Sequence, residues 1–168
     1  LILAMTKKGY MKSELLEAGL AVQNRNGGLY DKFRNRLILP VIDVRGDVVG
    51  FGSRVLDKSE PKYMNTPETL TYSKRRVLYG LNLAKKTKRP NIILCEGNLD
   101  VVTLHQAGFD NAVASMGTAL TVEQTRLLSR YTKELVLCYD NDNAGQQATR
   151  RALELLIDEK ELRASPVE

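Results

Sequence analysis

Apolar and polar positions over residues 1–89 predict two helices and one hairpin. Residues 6–18 carry apolar side chains at helical spacing and predict a helix that ends at Gly19. The apolar runs 37–44 and 48–56 are joined by a short polar turn and predict a hairpin, in which Pro40 indicates an edge strand. The remaining segments are predicted as follows: 20–35 as loop with one short strand, 57–73 as irregular loop, and 76–89 as helix.

The pattern changes at residue 90, where short apolar runs begin to alternate with helical segments. The predicted strands are 91–96, 111–115 and 134–140, and the predicted helices are 99–107, 122–130 and 144–160. Such alternation is typical of a parallel sheet covered by helices on both faces. The sequence therefore predicts an α/β domain over 90–168, preceded by a small basic α+β subdomain over 1–89.

Composition excludes several classes of protein. The 168 residues are 43% hydrophobic and 27% charged, which is a globular composition. No apolar run approaches the roughly 20 residues that span a bilayer, so we expect no membrane association. Cys95 and Cys138 lie in apolar runs without metal-ligand spacing, which favours reduced thiols and a cytoplasmic location. The chain begins at Leu1 rather than Met, and we expect it to be cut from a longer protein.

Charge is divided unevenly between the two halves. Residues 1–90 hold 18 Lys and Arg against 8 Asp and Glu, whereas residues 91–168 hold 7 against 12. A net charge of +10 in one half and −5 in the other suggests contact with a polyanion through the first half. A solvated basic surface explains the same numbers equally well.

Acidic residues follow two of the predicted strands. Glu96 ends the first strand, with Asp100 four residues later, and Asp140 and Asp142 follow the third. Ligands bind beyond the carboxyl ends of strands in open parallel sheets, and close carboxylates repel one another unless a cation lies between them. All-oxygen ligands favour Mg²⁺ or Mn²⁺, so the sequence predicts a divalent metal site.

Two other interpretations of these acids remain open. Asp100 and Asp142 stand where acids commonly cap a helix or occupy its first turn. An Asp-x-Asp pair after a strand is also typical of haloacid-dehalogenase phosphatases, although the Asn143-Ala144-Gly145 that follows fits that family poorly. The single histidine, His105, argues against a Ser-His-Asp triad.

Longer motifs resemble a known family. The runs ILCEGNLDVVTLHQAG, VASMGTALT and LVLCYDNDNAGQQA resemble the TOPRIM domain of primases and topoisomerases. Upstream, YDKFRNRLILPVID, GDVVGFGSRVL, PKYMNTPET and SKRRVLYGL resemble the RNA polymerase core of DnaG-type bacterial primases. Because the motifs occur in consistent order over nearly the whole chain, the resemblance favours a primase over other TOPRIM proteins.

The resemblance implies an activity and a set of site residues. Primases of this type make short RNA primers on single-stranded DNA from nucleoside triphosphates, together with the replicative helicase. The implied catalytic residues are Glu96, Asp100, Asp140 and Asp142, of which Glu96, Asp140 and Asp142 hold Mg²⁺ or Mn²⁺. The residues implied in nucleotide and DNA binding are Arg34, Arg36, Arg54, Lys62, Tyr63, Asn65 and Lys74.

The sequence departs from the family pattern at several points. Asn98 replaces an expected aromatic residue, and Asn141 replaces the glycine between the two aspartates. A further Asp-Pro-Asp element, the zinc-binding module and the helicase-binding domain are expected outside this chain. We therefore expect a monomeric fragment in the bacterial cytoplasm, with weak or no activity alone. The alternative is a non-catalytic TOPRIM module that only binds nucleic acid.

Overall fold

The computed structural model describes residues 1–159 and 162–167 and contains two compact units. The first unit comprises Leu1–Val41 and Val48–Ser73, and the second comprises Ile42–Asp47 and the described residues from Lys74 onward. Residues 74–89 thus group with the second unit. The expected domain boundary between residues 89 and 90 remains a prediction. Among the described residues, none of the helices combines the length and apolar character needed to cross a bilayer.

The first unit is built from two short helices and two small sheets. Its elements are α1 (Ile2–Lys7), α2 (Lys12–Glu17), β1 (Ala21–Gln23), β2 (Leu29–Asp31), β3 (Arg36–Ile42), β4 (Val48–Val55) and β5 (Tyr63–Asn65). Strands β1 and β2 pair antiparallel, and the second sheet has the order β3-β4-β5. The prediction for Pro40 is confirmed, because β3 is an outer strand.

Three segments of this unit differ from the sequence-based expectation. The helix predicted over 6–18 is two helices, because Gly9 adopts a φ of 93° that helical backbone cannot accommodate. The segment 20–35 holds two strands rather than one. The segment 57–73 contributes β5, which is fixed by antiparallel pairing with β4 rather than by local pattern.

The second unit is an α/β sandwich of helices around a four-stranded sheet. Its elements are α3 (Leu81–Ala84), β6 (Ile92–Cys95), α4 (Asn98–Gln106), β7 (Ala112–Ala114), α5 (Val122–Leu128), β8 (Glu134–Cys138), α6 (Asn143–Glu159) and β9 (Arg163–Pro166). The strand order is β7-β6-β8-β9, and every neighbouring pair is parallel. The predicted α/β class with flanking helices is confirmed, while β9 was not predicted.

Both faces of this sheet are buried, as two separate apolar clusters. On one face Leu94 and Leu137 pack with residues of α5 and α6, including Leu128 and Leu156. On the other face Cys95 packs with residues of β7 and α4. This two-sided burial explains why β6 and β8 are continuous apolar runs in the sequence.

Helix α3 is much shorter than the helix predicted over 76–89. Gly80 adopts a φ of 82°, and a Cβ there would lie 2.8 Å from a methyl carbon of Val101. Tyr79 instead exchanges backbone hydrogen bonds of 2.8 and 3.1 Å with Ala114 at the sheet edge. The segment before Gly80 therefore gives its backbone groups to tertiary contacts rather than to a helix.

Candidate functional site

The four predicted acids come after the carboxyl ends of two adjacent strands, β6 and β8. Cys95 of β6 and Cys138 of β8 are Cα partners in the parallel register, so Glu96 and Asp140 follow at the same edge of the sheet. Both carboxylates are exposed to solvent. We call Glu96, Asp100, Asp140 and Asp142 the acidic edge.

Two of the acids also serve as helix caps. A carboxylate oxygen of Asp100 accepts a hydrogen bond of 2.9 Å from the backbone N–H of Gly97, which precedes α4. A carboxylate oxygen of Asp142 accepts a hydrogen bond of 2.8 Å from the backbone N–H of Gly145, in the first turn of α6. The capping interpretation raised from the sequence is thus real for both residues, and it leaves their remaining carboxylate oxygens for other contacts.

The loop between Asp140 and α6 is held by close backbone packing. A Cβ on Gly145 would lie 1.9 Å from the carbonyl oxygen of Asp140, so only glycine fits there. The side-chain amide of Gln146 donates to the Asn141 side chain at 3.2 Å. The position of Asp140 is therefore set by the first turn of the following helix.

Tyr139, which directly precedes Asp140, is partly buried against the apolar cluster of the sheet. Burial, followed by the negative charge of Glu96, raises the pKa of Tyr139 to about 12. Tyr139 therefore stays neutral at physiological pH. This residue was not predicted, although its place directly before Asp140 was a signal.

The acidic edge offers the type of ligand atom that a hard divalent cation prefers. These atoms are exposed carboxylate oxygens, which are the ligands that Mg²⁺ and Mn²⁺ prefer. Within 1–159 and 162–167, however, no group of three or more His, Cys, Asp or Glu side chains is arranged to hold a metal ion. The predicted ligands are thus neighbours on one edge without forming a closed cage, and the metal site remains a prediction.

Six of the seven predicted nucleotide- and DNA-binding residues lie in the first unit: Arg34, Arg36, Arg54, Lys62, Tyr63 and Asn65. We call these six the basic surface. Arg54 and Tyr63 are cross-strand partners in β4 and β5, and the Arg54 guanidinium carbon lies 5.7 Å from the centre of the Tyr63 ring. The Lys62 ammonium lies 5.5 Å from the same ring, which is 54% exposed. An exposed ring beside two cations is suited to stacking on a base next to a phosphate.

Arg34 and Arg36 line a cavity of about 660 Å³ in the first unit. The Arg34 guanidinium carbon lies 4.8 Å from the centre of the Tyr30 ring. One terminal nitrogen of Arg36 donates a hydrogen bond of 2.7 Å to the carbonyl oxygen of Pro61. The other terminal nitrogen is buried and has no hydrogen-bond partner among the described residues. Lys32, which sequence reasoning missed, also lines this cavity, and the alternation of basic residues at 32, 34 and 36 was the signal for it.

Strand β5 of the basic surface is anchored by Thr66, which is fully buried. The Thr66 hydroxyl accepts a hydrogen bond of 2.8 Å from the backbone N–H of Phe51 and donates one of 3.3 Å to the Phe51 carbonyl oxygen. Valine has the same shape without the hydroxyl, so Thr66→Val leaves the half-buried Phe51 N–H without its hydrogen bond to residue 66. We expect a loss of about 1–3 kcal/mol in the free energy of unfolding, measured by denaturant titration.

The matched control is Thr71→Val, because Thr71 is exposed. We expect that variant to stay within about 0.5 kcal/mol of the parent chain. Equal stability of the two variants would contradict the anchoring role of Thr66.

Lys74, the seventh predicted residue, belongs to the second unit together with the acidic edge. Its carbonyl oxygen accepts a hydrogen bond of 3.0 Å from the side-chain amide of Gln124 in α5. Gln124 is fully buried and was not identified from the sequence.

Comparisons with known proteins match both parts of the chain. Residues 1–85 match the DNA primase catalytic core, N-terminal domain, and residues 93–167 match a Toprim-like family. The chain is 54% identical over 153 residues to the DNA primase of Clostridium acetobutylicum, covering 90% of this chain and 26% of that protein. The haloacid-dehalogenase interpretation of the aspartate pair is set aside, because the Toprim-like match includes those residues.

Solved structures with the same fold give the same result. The zinc-binding and RNA polymerase domains of the Aquifex aeolicus primase superpose with a TM-score of 0.89 at 35% identity, covering 98% of this chain and 41% of that one. A DnaG primase catalytic domain bound to single-stranded DNA superposes with a TM-score of 0.85 at 41% identity, covering 92% and 51%.

The chain spans about a quarter of the Clostridium relative and about half of the single-stranded DNA complex. The match to the DNA primase catalytic core, N-terminal domain, covers 1–85, which is more than half of the chain. The Toprim-like match over 93–167 covers the four-stranded sheet and the acidic edge. The chain belongs to the family of the DNA primase catalytic core, N-terminal domain.

Proposed function

We propose that this chain forms part of a primase catalytic core that joins ribonucleotides on a single-stranded DNA template. The observation that carries the proposal is the catalytic-core match over residues 1–85 followed by a Toprim-like sheet in which Glu96 follows β6 and Asp140 follows β8 at the same edge. A structural neighbour of this fold was solved with single-stranded DNA. Phosphoryl transfer needs positioning and charge neutralisation more than covalent chemistry, and this residue set is suited to both.

Divalent metal use is general to the Toprim and primase families. We assign the ligand role to Glu96, Asp140 and Asp142, with Asp100 supporting the turn that carries Glu96. A bound Mg²⁺ or Mn²⁺ would supply charge neutralisation at the phosphates of the incoming nucleotide. Asp142 would bind the ion with the oxygen that does not cap α6, and Gly145 would keep Asp140 in place.

The basic surface would hold the nucleic acid and the nucleotide. Tyr63 would stack on a base while Arg54 and Lys62 neutralise the adjacent phosphates. Arg34 and Arg36 would bind phosphate oxygens, since Arg36 has a donor that no described residue satisfies. Asn65 and Lys74 complete the predicted set.

The proposed partners are a single-stranded DNA template, the RNA primer and nucleoside triphosphates. A replicative helicase would bind through a domain outside this chain, and zinc would belong to another module of the whole protein. We propose that the fragment is a monomer and acts in the bacterial cytoplasm at the replisome.

The first test is a Mn²⁺ titration of the 168-residue chain, followed by paramagnetic broadening of its backbone amide signals. We expect broadening centred on residues 95–100 and 139–145. Glu96→Gln removes one charged ligand, so we expect Mn²⁺ affinity to fall on the order of tenfold. The matched control is Glu134→Gln, because Glu134 is exposed at the opposite end of β8 and should leave the affinity unchanged.

The alternative of a non-catalytic nucleic-acid-binding module is favoured by one observation, namely that the acidic edge lacks a preformed group of three metal-binding side chains in the described part of the chain. Diffuse broadening that Glu96→Gln does not change would support this module. Retained binding of single-stranded DNA in the same sample would then separate it from a misfolded chain.

A further inference from the structure

Gln124 connects α5 to the basic segment that begins at Lys74. Its side-chain nitrogen donates hydrogen bonds of 3.0 Å to the carbonyl oxygen of Lys74 and 2.9 Å to that of Val77. Its side-chain oxygen accepts 3.1 Å from the backbone N–H of Thr121. Gln124 is 0% exposed, so each of these bonds is made away from water.

Two further contacts hold the same segment. The Thr121 hydroxyl donates 2.7 Å to the carbonyl oxygen of Arg75. A terminal nitrogen of Arg75 lies 3.6 Å from a carboxylate oxygen of Glu123. The carbonyl oxygens of Lys74, Arg75 and Val77 are therefore all bound by the first turn of α5.

This arrangement uses more of Gln124 than a helix cap requires. The capping box of α5 needs only the side-chain oxygen of Gln124, which binds the Thr121 N–H. The two N–H donors of the amide serve no cap, and both are directed at carbonyl groups three residues apart. Glutamate would turn an oxygen toward those carbonyls, and an apolar side chain would leave them buried and unpaired. The two amide N–H donors of Gln124 therefore serve to hold the segment that begins at Lys74.

The segment that is held carries three consecutive cations, Lys74, Arg75 and Arg76. Arg75 and Arg76 are exposed, while Lys74 is half-buried. A backbone fixed at both ends of this run limits where its side chains can reach. Preorganised cations bind a phosphate backbone at lower entropic cost than mobile ones.

We propose that Gln124 is a positioning residue that fixes Lys74 for contact with the phosphates of single-stranded DNA. The inference rests on the proposed function, because that function assigns Lys74 to DNA binding. Gln124 itself touches no nucleic acid and acts through the backbone of residues 74–77.

The test measures binding of a fluorescently labelled single-stranded DNA oligonucleotide to the 168-residue chain by anisotropy, over a range of salt concentrations. Lys74→Ala is expected to weaken binding on the order of fivefold and to lower the salt slope by about 0.7, the value for one lost phosphate contact on a single strand. Gln124→Met keeps the side-chain length and removes the hydrogen bonds. We expect it to produce most of both effects and to add little in the Lys74→Ala background.

The matched control is Thr125→Val, because Thr125 is equally buried on α5 and its hydroxyl donates a hydrogen bond of 3.0 Å to the Thr121 carbonyl oxygen at the start of the same helix. It is expected to lower stability without changing the salt slope. A Gln124→Met variant that lowers stability and leaves the slope unchanged overturns the inference, as does full additivity with Lys74→Ala.

Failure of the proposed function is distinguishable from failure of the inference. A Lys74→Ala variant that binds DNA as well as the parent refutes the role of Lys74 itself. If Gln124→Met does not fold, Thr121→Val and Thr121→Ser replace it, since the serine variant keeps the hydroxyl that binds Arg75. The inference then predicts weakened DNA binding for valine and parental binding for serine, and equal binding by the two overturns it.

Discussion

Gly145→Ala is expected to destabilise the second unit and to weaken divalent metal binding together. The added Cβ would lie 1.9 Å from the carbonyl oxygen of Asp140, which is main chain and cannot rotate away. Alanine gains about 1 kcal/mol over glycine from helix propensity, but overpacking against main chain costs about 3 kcal/mol. The cost of the clash exceeds the gain in helix propensity, so we expect a net loss in the free energy of unfolding. Because relief requires Asp140 to move, we expect Mn²⁺ affinity to fall on the order of tenfold as well.

Gly108→Ala is the control for this variant. Gly108 also lies in the second unit and has a φ of 89°, but a Cβ there meets nothing within 4 Å. Its cost is limited to left-handed backbone strain of about 1–2 kcal/mol, and its Mn²⁺ affinity should be parental. Parental Mn²⁺ affinity in Gly145→Ala would show that the loop geometry at Asp140 does not matter to the metal.

Leu94→Ala is expected to be the most destabilising single change in the apolar core. Leu94 is 0% exposed in β6, which is bonded to both β7 and β8. Truncating such a residue loses transfer free energy and leaves a cavity, at a cost of about 2–5 kcal/mol. That is a large share of the roughly 5–15 kcal/mol that keeps a domain folded. Denaturant unfolding followed by circular dichroism measures the loss.

Leu70→Ala removes the same atoms from a side chain that is 100% exposed. We expect that change to stay within about 0.5 kcal/mol of the parent chain. Similar losses for the two variants would mean that β6 is not the centre of the packed sheet.

The second unit could be predicted well because its strands are buried on both faces. Continuous apolar runs such as 91–96 and 134–140 leave little ambiguity about type, and an acid or turn marks each end. The strand β9 could not be predicted in the same way. It has four residues and contains Pro166, and it forms through its parallel register with β8. Register over such a distance is not encoded in a local pattern.

The segment 74–79 shows why local reasoning failed for α3. Its composition is compatible with a helix, but its carbonyl groups bind a side chain about 50 residues further along the chain. No periodicity within the segment contains that information. For the same reason Gln124 was not singled out from the sequence.

The position of the acidic edge could be predicted from the sequence, whereas the hydrogen bonds of its side chains could not. Strand ends determine that Glu96 and Asp140 share one edge, and topology alone requires it. The capping bonds of Asp100 and Asp142 depend on the exact start of α4 and α6, which sequence patterns give only to within a few residues. The allocation of Lys74 to the second unit likewise depends on tertiary contacts.

The turn between β3 and β4 makes the two units interleaved in sequence. Residues 42–47 group with the second unit although the strands on either side begin in the first. Val44 packs against the apolar cluster of the four-stranded sheet, and its carbonyl oxygen accepts a hydrogen bond from the Lys85 ammonium. Leu78 and Leu81 belong to that same cluster. No single cut in the polypeptide can therefore separate the units intact, and a fragment beginning at residue 90 would lack part of its own core.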